Sequence, residues 1–449
     1  MIYSKKLTGA LTCTVALLGL SAAPSLADDA CVAPTSWTSH DAVPAPDNSI
    51  APQTNCDFHV WSWNTFLWMT QPDSDGDLRF QNFATLDELF DPAPVKTEFS
   101  ALSLDKSFVL APRALKPQKL TDDALKALEP SKTNMAALAS ASNIDGINQA
   151  GSLGVLVRRG ADDPTSGRAV YYSLNVDPVY YNFVRENKYY DVATYLAAPD
   201  DTNFAVGSAE FKYSWMVVED GEDVSDFFTV DAEIVQLTTN KDGQVVADPT
   251  KLIPATVALV GIHVVGVVED HPEFIWATFE HKSNSPDLPH GMDPKSSDPV
   301  SSEDWTFYAA NTPAKDSNLI DSTTNLKFAD ESAQTLEPVV NVFREYAWGT
   351  DLDDPSGPAN AANIQSLNKS VLSGTLAGDS VWNNYHLIGA VWGDGDLQPK
   401  SIVTPIGSTK LSNSTLETFT QQYSQCFSCH TTYNKNMDIS HIMKQHAEK

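Results

Sequence analysis

The sequence predicts an α+β protein: a mainly antiparallel β body, helices at its edges and a short helical C-terminal tail. Three observations predict this class. Runs rich in β-branched and aromatic residues crowd the centre from about residue 154 to 281. Stretches with apolar residues at helical spacing lie on both sides of that centre. A capped amphipathic stretch closes the chain after residue 401, beyond a late strand at 385–392.

At the start, Lys5 and Lys6 precede an apolar run from Leu7 to Ala23 and the small-x-small triplet Ser25-Leu26-Ala27. That order reads as a secretory leader over 1–27, with an apolar part too short to span a bilayer and stay. No later stretch offers eighteen apolar residues in a row, so no transmembrane anchor is expected after cleavage. Residues 28–56 form an arm rich in turn formers, in which Cys31 and Cys56 are expected to pair in an oxidising compartment. The alternative is two free thiols.

The body is expected over 57–400. It opens on DFHVWSWNTFLWMTQ (57–71), an aromatic helix that Pro72 ends. Asp73, Asp75 and Asp77 around Gly76 mimic a calcium loop, but the glycine is misplaced and the closing glutamate absent, so a turn is expected. Short amphipathic segments follow at Leu86–Phe90 and Thr121–Leu128. Strands are then expected at GVLVRR (154–159) and RAVYYSLNV (168–176). Asp177-Pro178 next supplies an N-cap and a first-turn proline for a helix through Asn187.

AEFKYSWMVV (209–218) alternates, with Glu210, Lys212 and Ser214 on one face and Phe211, Tyr213 and Trp215 on the other. Further strands are expected at 227–237, at 256–268, where the apolar run around His263 implies burial on both faces, and at 274–281. After Pro286 the chain reads as loops, with a strand at Trp305–Ala309, helices at Thr335–Ala347 and Ala359–Leu376, and a strand at Tyr385–Trp392. In the tail, 401–449, Ser414-x-x-Glu417 reads as a capping box opening a helix with Leu416, Phe419 and Tyr423 on one face.

That helix runs into CFSCH, Cys426–His430. Two thiols three positions apart with an adjoining histidine suit covalent haem attachment, in which each cysteine adds to a haem vinyl group and the imidazole ligates the iron. One haem c is therefore expected on Cys426 and Cys429, with His430 as proximal ligand. Other chemistries fit the same letters. Cys426, Cys429, His441 and His446 read as C-x2-C-x11-H-x4-H, near a zinc-finger pattern. A thioredoxin-like dithiol would open a helix early in a βαβ unit, and a disulfide across two residues would be strained. The leader favours haem, because thioether formation on bacterial cytochromes takes place outside the cytoplasm, so the protein is expected to be periplasmic or secreted.

Too few residues follow His430 to wrap a macrocycle, so the body must supply much of the wall. Met437, His441 and Met443 are candidates for the sixth iron ligand from the tail. His263, His271 and His281 are candidates from the body, and an open position is the remaining alternative. Glu210, Lys212, Glu280 and His281, polar residues amid apolar strands, read either as a buried network near a haem propionate or as a solvent-facing edge.

Charge narrows the partners. The leader carries two lysines and no acid, so the mature chain has 27 basic against 58 acidic residues, a net −31. That excludes nucleic acid and suits either solubility or a redox partner with a basic docking face. The expected function is single-electron transfer. The alternatives are a haem enzyme with an open distal site, of peroxidase or oxygenase type, and a haem-based sensor.

Beyond the clamp, several segments resemble a group of secreted monohaem cytochrome c family proteins with a C-terminal CxxCH. They are FLWM after Trp63, YYSLNVDPVYYNFVRENKYY, AEFKYSW, VALVGIHVVGVVEDHPEFIWATFEHKSNSP and LSNSTLETFTQQYSQCFSCH. The resemblance spans most of the chain from about residue 57. It implies an exported monohaem protein, with roles carried over only for Cys426, Cys429 and His430, and it supplies no substrate.

Overall fold

A 24-residue strand, Val245–Val268, is the piece on which the main sheet assembles. Its second half is a run of Val, Ile, Leu and Gly, with every residue from 257 to 268 buried except the half-buried His263. This satisfies the expectation of a strand covered on both faces. The computed structural model describes residues 30–92, 109–110, 155–161, 163–319, 326–378, 381–421 and 426–448. The leader and the segment Thr121–Leu128 lie outside the described residues.

In chain order the strands are β1 (Ala84–Thr85), β2 (Val109–Leu110), β3 (Val157–Arg159), β4 (Gly167–Ala169), β5 (Tyr171–Val176), β6 (Ala209–Val217), β7 (Thr229–Thr239), β8 (Val245–Val268), β9 (His271–His281), β10 (Lys327–Asp330), β11 (Thr335–Glu337), β12 (Tyr385–Trp392) and β13 (Ile406–Gly407). The helices are α1 (Asn55–Met69), α2 (Leu86–Phe90), α3 (Pro178–Glu186), α4 (Val192–Ala197), α5 (Gly357–Ser370), α6 (Cys426–Cys429) and α7 (His441–Ala447). The larger sheet runs β1–β5–β6–β8–β9–β12–β13, with β7 on the first half of β8 and β2 beside β7. Its pairings are antiparallel apart from β2 with β7. A smaller sheet runs β10–β11–β4–β3. The expected α+β class, mainly antiparallel with peripheral helices, is therefore the observed one, the helices packing on the faces of the sheet.

One face of the main sheet carries α1 and α5. Thr54 and Asp57 cap α1 reciprocally, and its apolar residues occupy nearly all sides because the helix is wedged between the sheet and α5. Trp63 donates to Asn368 at 2.9 Å and His59 meets Asn360 at 2.9 Å, both on α5. Phe66 stacks on Phe279 of β9 at 4.3 Å. Cys31 and Cys56 form a disulfide that ties the arm to the first turn of α1.

The other face is covered by α3, α4 and the segment after residue 411. Phe427, Met437, Ile439, Ile442 and Met443 join Val265, Val267, Trp276 and Ile388 in one buried cluster. Residues from Cys31 onward form a single compact unit, and the described residues of 401–448 pack as part of it. Among the described residues, no helix is long and apolar enough to cross a membrane.

Three local expectations fail for stated reasons. Residues 335–347 form strand β11 and extended chain instead of a helix, because Pro338 lacks an N–H and restricts the residue before it. Trp305 and Tyr308 make an isolated bridge in a loop. Residues 414–420 are turns, because the expected cap is spent elsewhere: Ser414 donates to Glu280, and Asn413 takes the local capping bonds from Thr415.

Candidate functional site

The polar face of β6 is the floor of the site. Period-two alternation puts Phe211, Tyr213 and Trp215 in the α1-side core and leaves Glu210, Lys212 and Ser214 on the other face. Pairing with β8 places His263 opposite Lys212 and Gly261 opposite Ser214. Pairing with β9 sets Glu280 beside Gly261 and Thr278 beside His263, with Trp276 further along. A stripe of polar groups thus crosses three neighbouring strands under an apolar rim.

Residues 411–421 lie directly on that stripe. Asn413 donates to Thr278 at 2.8 Å, Thr415 shares a hydroxyl bond with Ser214 at 2.6 Å, and Glu280 takes both the backbone N–H and the hydroxyl of Ser414. Approach is so close at Gly261 that an added Cβ would stand 2.6 Å from Thr415 Oγ1. Glycine inside a strand of bulky residues marks such a backbone contact. Arg344 extends the network, bonding Glu280 at 2.9 Å and Asp287 at 2.6 Å. Burial opposes the Arg344 charge, but the two carboxylates outweigh it and raise its pKa.

Glu417 accepts from His263 at 2.8 Å and from the Asn413 N–H at 2.9 Å. Burial alone would raise its carboxyl, yet His263, Lys212 and the Asn413 N–H together hold it below the ordinary value. This carboxylate acts electrostatically on Cys426 and Cys429, whose thiols are pushed up first by burial and then by that charge. Such thiols are the opposite of the low-pKa nucleophiles of dithiol oxidoreductases.

Cys426 and Cys429 begin and end the four-residue helix α6, neither of them in a disulfide. His430 follows, half-buried. Its Nδ1 lies 2.9 Å from the Ile439 carbonyl; since a carbonyl only accepts, Nδ1 carries the proton and Nε2 is the bare nitrogen. Nε2 has no hydrogen-bond partner among the described residues. Burial, then His441, holds the imidazole well below its usual pKa and hence neutral. The ring stacks on His441 at 3.7 Å and 19° and meets Trp276 at 4.1 Å.

The sixth-ligand candidates are dispersed. His441 lies flat beside His430, its Nε2 donating to the Cys429 carbonyl at 2.9 Å. Met437 and Met443 are fully buried in the cluster that also holds Phe427 and Trp276. Of the body histidines, His263 faces the tail through Glu417. His271 bonds Glu273 at 2.8 Å and edges onto Phe58. His281 points to the opposite face, stacked on Phe227 at 3.7 Å. The polar quartet is split likewise, since Glu210, Lys212 and Glu280 face the tail and His281 does not.

The zinc-finger spacing is not realised as a cluster: His446 stacks on Phe90 at 3.8 Å and donates to the Tyr190 carbonyl at 2.7 Å. Among the described residues, no group of three or more His, Cys, Asp or Glu is arranged to hold a metal ion. Sequence reasoning missed Trp276, Asn413, Thr415 and Ser440. Gly261 amid β-branched residues was the available signal for the first contact layer. No family model, curated protein or solved structure matches the chain.

Proposed function

We propose that this is an exported c-type haem protein that carries one haem on Cys426 and Cys429, with His430 as iron ligand, and exchanges single electrons with a basic partner protein. The observation that carries the reading is the state of His430. Ile439 fixes its Nδ1–H, which leaves Nε2 as a neutral donor one residue beyond two thiols spaced one helical turn apart. Metal-ligating histidines are oriented by such a carbonyl acceptor on the far nitrogen. The donor set thus fits the group that the CFSCH motif implies.

Bound haem would supply a one-electron ferrous–ferric couple, with its potential set by axial ligation and burial. The chain's own residues then have definite tasks. Ile439 and His441 keep the imidazole in place, Trp276 shields its face, and Glu417 with its His263 and Lys212 neighbours sets the local field. The net charge of −29 for the full sequence favours encounter with a basic partner, an effect that fades as salt rises.

A haem enzyme with a vacant sixth position is the second reading. It is favoured by His441, which stacks on His430 and commits its Nε2 to the Cys429 carbonyl, so this candidate would not be free to serve as a second ligand. The test is direct: purify the exported protein, unfold it and extract with acidic organic solvent. Pigment that stays with the polypeptide, and is lost from Cys426→Ala/Cys429→Ala, supports haem attachment; pigment that washes out, or was never there, refutes it. A reduced spectrum unmoved by carbon monoxide supports electron transfer, whereas one that shifts supports the enzyme.

A further inference from the structure

We infer that Glu210, a sheet residue far from the clamp in sequence, is a positioning residue for His430 and acts through Ser440. The inference rests on the haem reading only for what the imidazole is used for; the positioning itself is a property of the chain.

Ser440 is fully buried and Glu210 is 6 % exposed. The Ser440 hydroxyl donates to the Glu210 carboxylate in a short bond. With that proton committed, the 2.9 Å contact between Ser440 and Tyr180 has a defined direction, from the tyrosine O–H to the serine oxygen. Tyr180 on α3 and Glu210 on β6 therefore grip one hydroxyl from two elements of the body.

What Ser440 separates makes the grip matter. The residue before it, Ile439, offers the carbonyl that takes the His430 Nδ1–H, and the residue after it, His441, provides the ring stacked on His430 and the bond back to Cys429. Seating Ser440 thus places two of the groups that touch the imidazole, the third being Trp276 on β9. Other anchors hold the entry to this strap: Tyr195 donates to Asp438 at 2.5 Å, and the Lys435 ammonium reaches the carbonyls of Tyr195, Leu196 and Ala198. They fix the position of the strap, and Ser440 fixes its orientation at the histidine. Loss of the grip would let the Ile439 carbonyl swing away, and the imidazole would then sample both tautomers, one of which blocks Nε2 with a proton.

The experiment uses the exported full-length protein and its Glu210→Ala, Glu210→Gln and Ser440→Ala variants. Solvent exchange of the His430 Nδ1 proton is followed by NMR, alongside the ring 15N shifts. A hydrogen bond of this kind protects its proton by about tenfold, so exchange is expected to accelerate about tenfold in Glu210→Ala and Ser440→Ala. Glu210→Gln keeps the side-chain shape and an acceptor oxygen but loses charge assistance, so a smaller acceleration is expected. If Ser440→Ala or Glu210→Ala fails to fold by circular dichroism, Glu210→Gln carries the test. Exchange and 15N shifts that match wild type in a folded Glu210→Gln, or in folded alanine variants, overturn the inference. A protein isolated without pigment defeats the haem reading alone, because the 15N shifts still report the His430 tautomer.

Discussion

Removing the Glu280 carboxylate should loosen the seat of the C-terminal segment more than any other single truncation on the sheet. Glu280 is fully buried and serves Arg344 together with two donors of Ser414. In Glu280→Ala, Arg344 keeps only the partly exposed Asp287. Breaking a buried ion pair from one side costs about 3 to 5 kcal/mol, and each stranded Ser414 donor about 1 kcal/mol more. These contributions total about 5 to 7 kcal/mol, and because groups in one hydrogen-bond network fall short of additivity by about 0.5 to 3 kcal/mol, about 4 kcal/mol is the expected loss. The compact unit, Cys31–Lys449, has about 420 residues, and an unfolding entropy of about 2.1 cal/mol/K per residue gives about 0.9 kcal/mol per degree. The melting temperature should therefore fall by about 4 to 5 °C, read by calorimetry at neutral pH. Limited proteolysis should cut within 401–421 sooner than in wild type. Replacing Glu280 by Leu and Arg344 by Met together should recover part of the loss, since no fully buried charge is left uncompensated and the Asp287 carboxylate, which loses Arg344, is partly exposed to water. A Glu280→Ala protein melting within a degree of wild type, with an unchanged cleavage pattern, would refute the account.

Other consequences can be checked in the same preparations. Gly261→Ala should push residues 413–415 off the sheet and lower stability by about 1 to 3 kcal/mol, measured by chemical denaturation, with no change in far-UV circular dichroism. His59 and His281 are held neutral by burial, with pKa values of about 4, and His386 by burial and then Arg344, at about 3. Their folded pKa values lie below the unfolded value of about 6.5, so the unfolded chain binds the extra protons. Stability should be fully present above that pH and decline as pH falls from about 6.5 to about 4, and His59→Gln should flatten the melting profile across that range. Replacing Cys31 and Cys56 by alanine opens a crosslink between residues 25 apart; loop-entropy arguments put the loss at about 3.5 kcal/mol, and a melting point unmoved by the double substitution would contradict it.

Much of the architecture could be read locally, because it depends on local periodicity. The alternation at 209–217, the two-sided apolar run of β8, the capped helix at 178–186 and the aromatic helix α1 each carry their signal within a dozen residues. The misreadings occur where a distant partner takes a group that the local pattern had assigned. Ser414 looked like a helix cap, but Glu280 claims its hydroxyl, so the turn never propagates into a helix. Pro338 was present in the expected helix 335–347, and its missing donor outweighed the surrounding apolar spacing. For the site, CFSCH was legible as a motif, and Glu210, Lys212 and Glu280 were visible as polar residues on apolar strands. That a segment 134 to 230 residues later would cover them is a long-range fact with no local trace.

The polar stripe under residues 411–421 also bears on the order of events during maturation. Every strand that contributes to it precedes that segment in the chain, so the floor can form while Glu210, Lys212, His263 and Glu280 still face water. Seating the segment exchanges that hydration for the bonds to Ser414, Thr415, Glu417 and Ser440. The same seating packs Phe427, between Cys426 and Cys429, into the buried cluster with Met437 and Met443, so access to both sulfurs depends on how the described residues of this segment sit on the sheet.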